Sequence, residues 1–343
     1  MNRQATGGVL SVSVVLVLFV LTALTPVQAQ AKFPDPTKSM TFIIPVSVGG
    51  GYDLYSRMLV PFLSDELDMR IKIRNVPGGK WLVGLDKIYS AKPDGYTIGI
   101  WNPGLMMNDK DVLGKVDYDM TAFTFLYRIT NEPRVVIVKT DGPIKDFKDL
   151  MAKAKDPNFQ LRSSYAGGTA LLDAQLMESE WGIKSEKIAY SSGSKTRLAV
   201  MREDVHFCVS GLGSGMDAIP TGRLKFILLM HDVPMTEVPE ASRWVKSYPE
   251  LKEVPIPADL GLKPLSYDSK SARCIIGPPN MPADVKATLE TALEKCINNK
   301  DLRRIGERSE RPFGKGQKGD DYKAQMVKDK QTLIKIKHLL QAE

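Results

Sequence analysis

Cysteine and histidine are scarce in this 343-residue chain, with three of each. Three cysteines are too few, and odd in number, for a disulfide framework. Cys208, Cys274 and Cys296 each sit among apolar residues and read as small buried hydrophobes, with at most one disulfide among them. His206, His231 and His338 are far apart in the chain and form neither a metal-ligand spacing nor a base for nucleophilic catalysis. No basic run with interleaved aromatics is present, so nucleic acid is not expected as a partner. Beyond residue 24 no apolar run is long enough to span a bilayer. The segment Gly78-Gly79-Lys80-Trp81 lacks the spacing of a Walker loop, and Gly211 to Gly215 is out of register for a nucleophile elbow. Gly49 to Gly51 is not followed by the acidic residue that a dinucleotide site needs at the end of its second strand. No catalytic residue, metal or cofactor is therefore expected.

What is present is an ordinary globular composition, 43% hydrophobic and 25% charged. The length exceeds what a single core usually supports, so two domains are expected. Lys plus Arg outnumber Asp plus Glu by 47 to 40, a mild excess that suits small anions. At the N-terminus, Arg3 is followed by an apolar stretch from Val9 to Leu24, then Pro26, then the small residues of Ala29-Gln30-Ala31. This order predicts a secretory signal over residues 1–31, cleaved near Ala31. The alternative, an uncleaved anchor, is disfavoured by the short stretch and by the absence of a stop-transfer cluster after it.

The remaining pattern alternates short apolar runs with helical periodicity, as in parallel sheets covered by helices. Residues 40–46 read as a strand and 53–67 as a helix, kinked or broken at Pro61. Residues 70–76 and 96–101 follow as strands, with a helix at 81–91 between them. A second set of such units begins near Pro133. The proline-rich region 234–264 reads as a long irregular connection, followed by a strand at 273–276 and helices at 282–297 and 320–340.

Two glycine loops, each between a strand and a helix, stand out. The first is Ser47-Val48-Gly49-Gly50-Gly51-Tyr52-Asp53, and the second runs from Ser163 through Ser164, Ala166, Gly167 and Gly168 to Thr169. Glycines let backbone N–H groups converge on one point, and the helix start adds unpaired donors and a partial positive charge. Each loop is either an anion site for carboxylate or phosphate, or a plain turn, the first capped by Asp53. Two such loops, one per domain, suggest a cleft gripping one ligand from both sides. The loops at Ser191-Ser192-Gly193-Ser194 and at Ser210 to Ser214 either line the same opening or merely connect elements. Trp101, with Asn102 beside it, is a candidate pocket wall or a core residue. Tyr52 offers a stacking face for an aromatic acid or packs on the loop from outside. Arg57 reads as a structural or surface charge.

Several motifs together resemble the extracytoplasmic substrate-binding proteins of tripartite tricarboxylate transporters, the Bug family. These are Pro45 to Asp53 with Arg57, Asn75-Val76-Pro77-Gly78-Gly79, Pro93-Asp94-Gly95-Tyr96-Thr97, Ser164 to Thr169, Tyr190 to Ser194, and Gly277 to Pro282. The chain differs from the family pattern at Val46, Tyr52, Ser191, Ser192 and Gly211, and lacks a histidine after the second loop. The resemblance implies an α/β, two-lobed, type II periplasmic-binding-protein fold with hinge crossovers between mostly parallel sheets. It implies a first lobe of residues 32–130 completed by 255–343, and a second lobe of 131–254. It also implies Venus-flytrap closure on a carboxylate held by the two glycine loops; joined with the residue readings above, the expected ligand-binding set for a di-, tri- or aromatic carboxylate is Ser47 to Asp53, Trp101, Asn102, Ser164, Ala166 to Thr169, Ser192 and Gly193. The expected protein is a monomeric periplasmic receptor delivering its ligand to membrane permease subunits. Reporting to a sensor kinase and an enzyme using the same cleft are the alternatives.

Overall fold

The computed structural model describes Met1 and residues 33–340, except 217, 239–240 and 268–269. The expected export signal lies at 1–31, of which residues 2–31 are outside the described residues.

Four strands open the chain: β1 (Ser39–Ile44), β2 (Arg70–Asn75), β3 (Thr97–Trp101) and β4 (Thr124–Glu132). Five more follow: β5 (Arg134–Lys139), β6 (Arg162–Tyr165), β7 (Glu186–Ala189), β8 (Phe207–Gly211) and β9 (Leu224–Met230). Then come β10 (Ser271–Gly277) and β11 (Gln317–Lys318). They form one six-stranded sheet, ordered β2-β1-β3-β10-β4-β11, and one five-stranded sheet, ordered β7-β6-β8-β5-β9. The helices in chain order are α1 (Gly51–Glu66), α2 (Leu82–Tyr89), α3 (Phe147–Lys153), α4 (Gly168–Trp181) and α5 (Gly193–Met201). After them come α6 (Leu212–Gly215), α7 (Ser242–Ser247), α8 (Ala283–Asn298), α9 (Lys300–Arg308) and α10 (Gly319–Leu340).

Both sheets are mixed rather than mostly parallel. β1 pairs in parallel with β2 and β3, and β6 with β7 and β8. β10 runs antiparallel to β3 and β4, and β5 antiparallel to β8 and β9. The reason is the crossover. β5 follows β4 after Pro133 alone, and β10 follows the second sheet, so each enters its sheet from the opposite end and must run against its neighbours. The backbone therefore passes from sheet to sheet at Glu132-Pro133-Arg134 and again before Ser271.

β5 is buried on both faces between two apolar clusters, which explains its unbroken Val-Val-Ile-Val run. Val254 and Ile256 are buried with the second sheet, and Leu260 and Leu262 pack there too, so the chain leaves that sheet only after them. Helix α1 runs through Pro61 without a break, and Pro61 faces solvent. The expected irregular connection at 234–264 contains α7 and short 3-10 turns. Two strands are absent from the sequence reading: the two-residue β11, and β4, whose Thr-Phe-Leu-Tyr-Arg-Ile-Thr-Asn-Glu series carries many polar residues and little apolar run. All three cysteines are buried free thiols, and burial pushes Cys208 up to about 11 and Cys296 up to about 12.

Helix α4 is buried on most of its circumference, because Leu172 and Leu176 join the first sheet's core while Met177 and Trp181 join the second's. Helix α10 is tied down by Lys330, only 6% exposed, whose Nζ lies 2.9 Å from Asp109, 2.7 Å from Asp111 and 3.1 Å from Asp119. Burial opposes the Lys330 charge, yet hydrogen bonds to the three carboxylates raise its pKa. Burial would likewise raise Asp119, but Thr121 and Lys330 hold it below its ordinary value of 3.8. The Asp119 contribution to this clasp is thus fully present above pH about 4 and is lost as pH falls through its lowered folded value. The lysine side is complete below its ordinary value and is lost only as pH rises through the raised one. Lys330→Met should cost about 2 kcal/mol, since Asp109 keeps its backbone donors but loses its cation. The variant should also lose less stability than the parent between pH 5 and pH 3, measured by urea unfolding.

Candidate functional site

The two sheets meet around a narrow cleft whose lining comes from both. From the first sheet come Gly51, Tyr52, Trp81, Asn102, Ser271 and Arg273; from the second come Arg134, Ala166, Thr169, Gly193, Arg197 and Ser214, among others. The space between them is small, about 50 Å³.

At its centre is a buried ion pair on the crossover strands. Arg273 in β10 is 1% exposed and Glu132 at the end of β4 is 2% exposed. Arg273 Nη1 donates to Glu132 Oε1 at 2.8 Å and to Thr130 Oγ1 at 3.0 Å, and Nη2 donates to Ser214 Oγ at 2.9 Å. The guanidinium also lies over the rings of Tyr55, at 4.1 Å, and Tyr52, at 4.9 Å. Burial works against the Arg273 charge, but Glu132, Tyr55 and Tyr52 together more than restore it, so its pKa rises. Its Nε N–H is buried and has no partner. Glu132 reaches across to the second sheet as well, its Oε2 accepting from the Gly213 backbone at 2.9 Å, while its Oε1 takes the Tyr55 hydroxyl at 2.7 Å. Arg134, on the far side of Pro133, is paired with the fully buried Asp173 at 2.6 Å.

Around this pair the glycine loops close. A Cβ on Gly51 would fall 2.4 Å from Ser214 Oγ and 3.2 Å from Arg273 Nη2, so only glycine leaves room for the charge to approach the start of α1. Gly50 packs on Ser192, Ser194 Oγ donates to Gly49 O at 2.6 Å, and Ser47 N donates to Ser191 O at 3.4 Å. At the start of α4, Thr169 Oγ1 bonds Asn102 Oδ1, which also accepts from Gly104 N at 2.9 Å. The Asn102 amide in turn donates to the Tyr52 hydroxyl. Thus Asn102 spends its side chain joining the lobes. Burial pushes both Tyr52 and Tyr55 hydroxyls up, so they stay protonated donors at neutral pH.

Of the residues expected at the site, Gly51, Tyr52, Asn102, Ala166, Thr169 and Gly193 line the cleft. Gly50, Ser192, Gly167 and Gly168 stand directly behind it as interlobe contacts, and Ser164 is buried with its hydroxyl on Thr196 O at 3.3 Å. The others lie elsewhere. Val48 points to solvent at 66% exposure, and Gly49 and Ser47 are loop contacts. Asp53 does not cap α1 from its first position: Gly50 holds that place, and Asp53 turns back to accept from Gly49 N, Arg57 and Asn75. Burial would raise its pKa, but these donors lower it. Trp101 is wholly buried against Phe123 and Phe125 and is core. Tyr52 offers no open stacking face, because it is buried, with Arg273 over its ring and Trp81 packed perpendicular to it, ring centroids 4.7 Å apart.

The sequence reading did not find Arg273, Glu132, Arg134 or Trp81. The available signal was a lone arginine inside the apolar Ala272-Arg273-Cys274-Ile275-Ile276 run, and charges flanking the single Pro133. A larger cavity of about 140 Å³ lies on the other side of Arg134, lined by Trp181, His231, Pro257 and Tyr267. There the Trp181 indole donates to Lys263 O at 2.9 Å and the Tyr267 hydroxyl to Asp329 at 3.2 Å, so its main donors are engaged. The cleft holds buried donors without partners, on Arg273 and Trp81, and is the better anion site.

A family model described as "Tripartite tricarboxylate transporter family receptor" (TctC) matches residues 56–337. A UPF0065 protein of Bordetella pertussis is 24% identical over 62% of this chain, and the match spans about two thirds (66%) of that relative's length. Among solved structures, MatC from Rhodopseudomonas palustris with bound malate aligns with a TM-score of 0.76 at 16% identity, covering 88% of this chain and 100% of that one. The periplasmic binding protein BugD aligns with a TM-score of 0.74 at 17% identity, covering 89% of this chain and 98% of that one. Two mixed sheets joined by crossovers at a cleft, and a family match over most of the chain, place this protein in the tripartite tricarboxylate transporter receptor family, the Bug proteins.

Proposed function

We propose that the protein is an exported, monomeric solute receptor that holds an organic carboxylate in this cleft and delivers it to membrane permease subunits. The observation that carries the reading is Arg273, a fully buried cation with a partnerless Nε N–H, on the same lining as the first residues of α1 and α4. A helix start favours negative charge, and a buried guanidinium with spare donors favours a carboxylate oxygen. The related fold of MatC is recorded with malate and another R. palustris neighbour with adipate, both dicarboxylates. Because Tyr52 is 8% exposed, with Arg273 over its ring and Trp81 packed perpendicular to it, an aliphatic diacid suits the cleft better than an aromatic one.

The mechanism needs no chemical step. Opening at Glu132-Pro133-Arg134 and ahead of β10 separates Asn102 from Thr169 and Gly213 from Glu132. A ligand touching both sides favours the closed arrangement only through its higher affinity for it. Among the described residues, no helix is long and apolar enough to cross a membrane.

A thermal-shift screen with mono-, di-, tri- and aromatic carboxylates tests the reading. A bound acid at 100 times its dissociation constant should add about 2.7 kcal/mol to stability. Stabilisation by aliphatic dicarboxylates is expected. A response to sugars or cationic amines, with none to any carboxylate, would contradict it.

A further inference from the structure

We propose that Trp81 is a specificity-determining residue of the cleft, its indole N–H donating a hydrogen bond to the bound carboxylate. The proposal rests on the carboxylate reading of the cleft and adds a donor that neither glycine loop supplies.

Four tryptophans are present in the chain. Two of them have their indole N–H engaged, Trp181 with Lys263 O and Trp244 with Glu310. Trp101 Nε1 has no partner, but that ring is wholly buried in the first core against Phe123 and Phe125 and does not line the cleft. Trp81 differs from all three. It is 5% exposed, it lines the cleft, and its Nε1 has no partner. A buried N–H left unpaired is rare and costs free energy that an acceptor in the cleft would recover.

The position of the ring points to the same place. A Cβ on Gly167 would fall 2.6 Å from Trp81 Cε2 and 3.1 Å from Nε1, so the pyrrole edge lies against the second glycine loop. Ala166 and Thr169 of that loop line the cleft beside it. The ring is fixed from the other side by Tyr52, edge-to-face at 4.7 Å and 78°. Tyr52 is itself held by Arg273, so indole N–H and guanidinium are set on one rigid stack.

The backbone carries a further cost. Lys80 has φ +53° and Trp81 φ +85°, two consecutive residues other than glycine in the left-handed region. A bulky side chain there is strained, and such strain collects at ligand-holding positions. A tryptophan is nonetheless held at this strained position, on the cleft lining and with its N–H unpaired.

The test uses the mature chain, with malate and adipate as probes. Amide and indole proton resonances are followed during titration, and the Trp81 indole is assigned by its disappearance in Trp81→Phe. The expected result is a downfield shift of that one indole proton on binding, with the other three little changed. Trp81→Phe keeps an aromatic ring beside Tyr52 but loses the donor together with part of the indole's packing against Gly167, so the indole shift in the parent is the readout that isolates the hydrogen bond. The variant should bind the same acid at least tenfold more weakly. The proposal is overturned if the Gly51 and Thr169 amides shift while the Trp81 indole does not, or if Trp81→Phe binds as the parent does. If neither acid moves any cleft resonance, the carboxylate reading itself fails, and this inference with it.

Discussion

Arg273→Met should unfold roughly 5–10 °C below the parent and should bind no carboxylate at concentrations that saturate the parent. The size of the first effect follows from what the change leaves behind. Glu132 is 2% exposed and would retain only the Tyr55 hydroxyl and the Gly213 N–H as partners. Removing one member of a buried ion pair costs about 3–5 kcal/mol, because the surviving charge is stranded in low dielectric. The two effects can be separated. In the double variant Arg273→Met, Glu132→Gln the stranded charge is gone, and most of the stability should return. Binding should not return, since the cation is still missing. If the double variant regained affinity along with stability, Arg273 would be a structural partner of Glu132 and nothing more. Calorimetric titration and thermal unfolding of the same three proteins decide the point.

Gly104→Ala should weaken carboxylate binding by tenfold or more. A Cβ at Gly104 would sit 2.1 Å from Thr169 N and 2.2 Å from Thr169 Cα. Those are backbone atoms at the start of α4, and they cannot rotate out of the way. The contact is reciprocal, since a Cβ on Gly168 would fall 2.4 Å from Gly104 O. One methyl group therefore drives the α4 start away from Asn102 and breaks the bond between Asn102 and Thr169. The free protein can relieve the clash by parting the lobes, so its stability should fall by no more than about 1–3 kcal/mol, the usual range for overpacking. Affinity depends on the closed arrangement and carries the larger loss. Unchanged affinity would mean that Gly104 and Thr169 need not meet for the ligand to be held.

These two residues mark the boundary of what the sequence reveals. The glycine loops were legible because strand, glycines and helix are contiguous, and contiguous residues keep their relation in any fold. Gly51 and Thr169 accordingly line the cleft. Arg273 and Glu132 are 141 positions apart and meet only because β10 lies antiparallel beside β4. That neighbour relation depends on the crossover, and β4 itself was missed because its polar residues hide the strand period. Trp101 was misplaced for a related reason. It ends β3 as a cleft residue should, but its side chain turns inward to Phe123 and Phe125, and alternation along a strand does not fix which face a terminal residue takes. Asp53 shows the opposite error, a good capping residue three positions inside the observed cap, because Gly50 caps the helix and Arg57 claims the carboxylate.

The most direct measurement is a crystal structure of the mature chain grown with malate or adipate. One ligand carboxylate should lie between the starts of α1 and α4, within hydrogen-bond distance of Arg273 Nε, with Asn102 and Thr169 still joined. Density for the acid on an outer face, or in the cavity lined by His231 and Tyr267 with the cleft unchanged, would contradict the account.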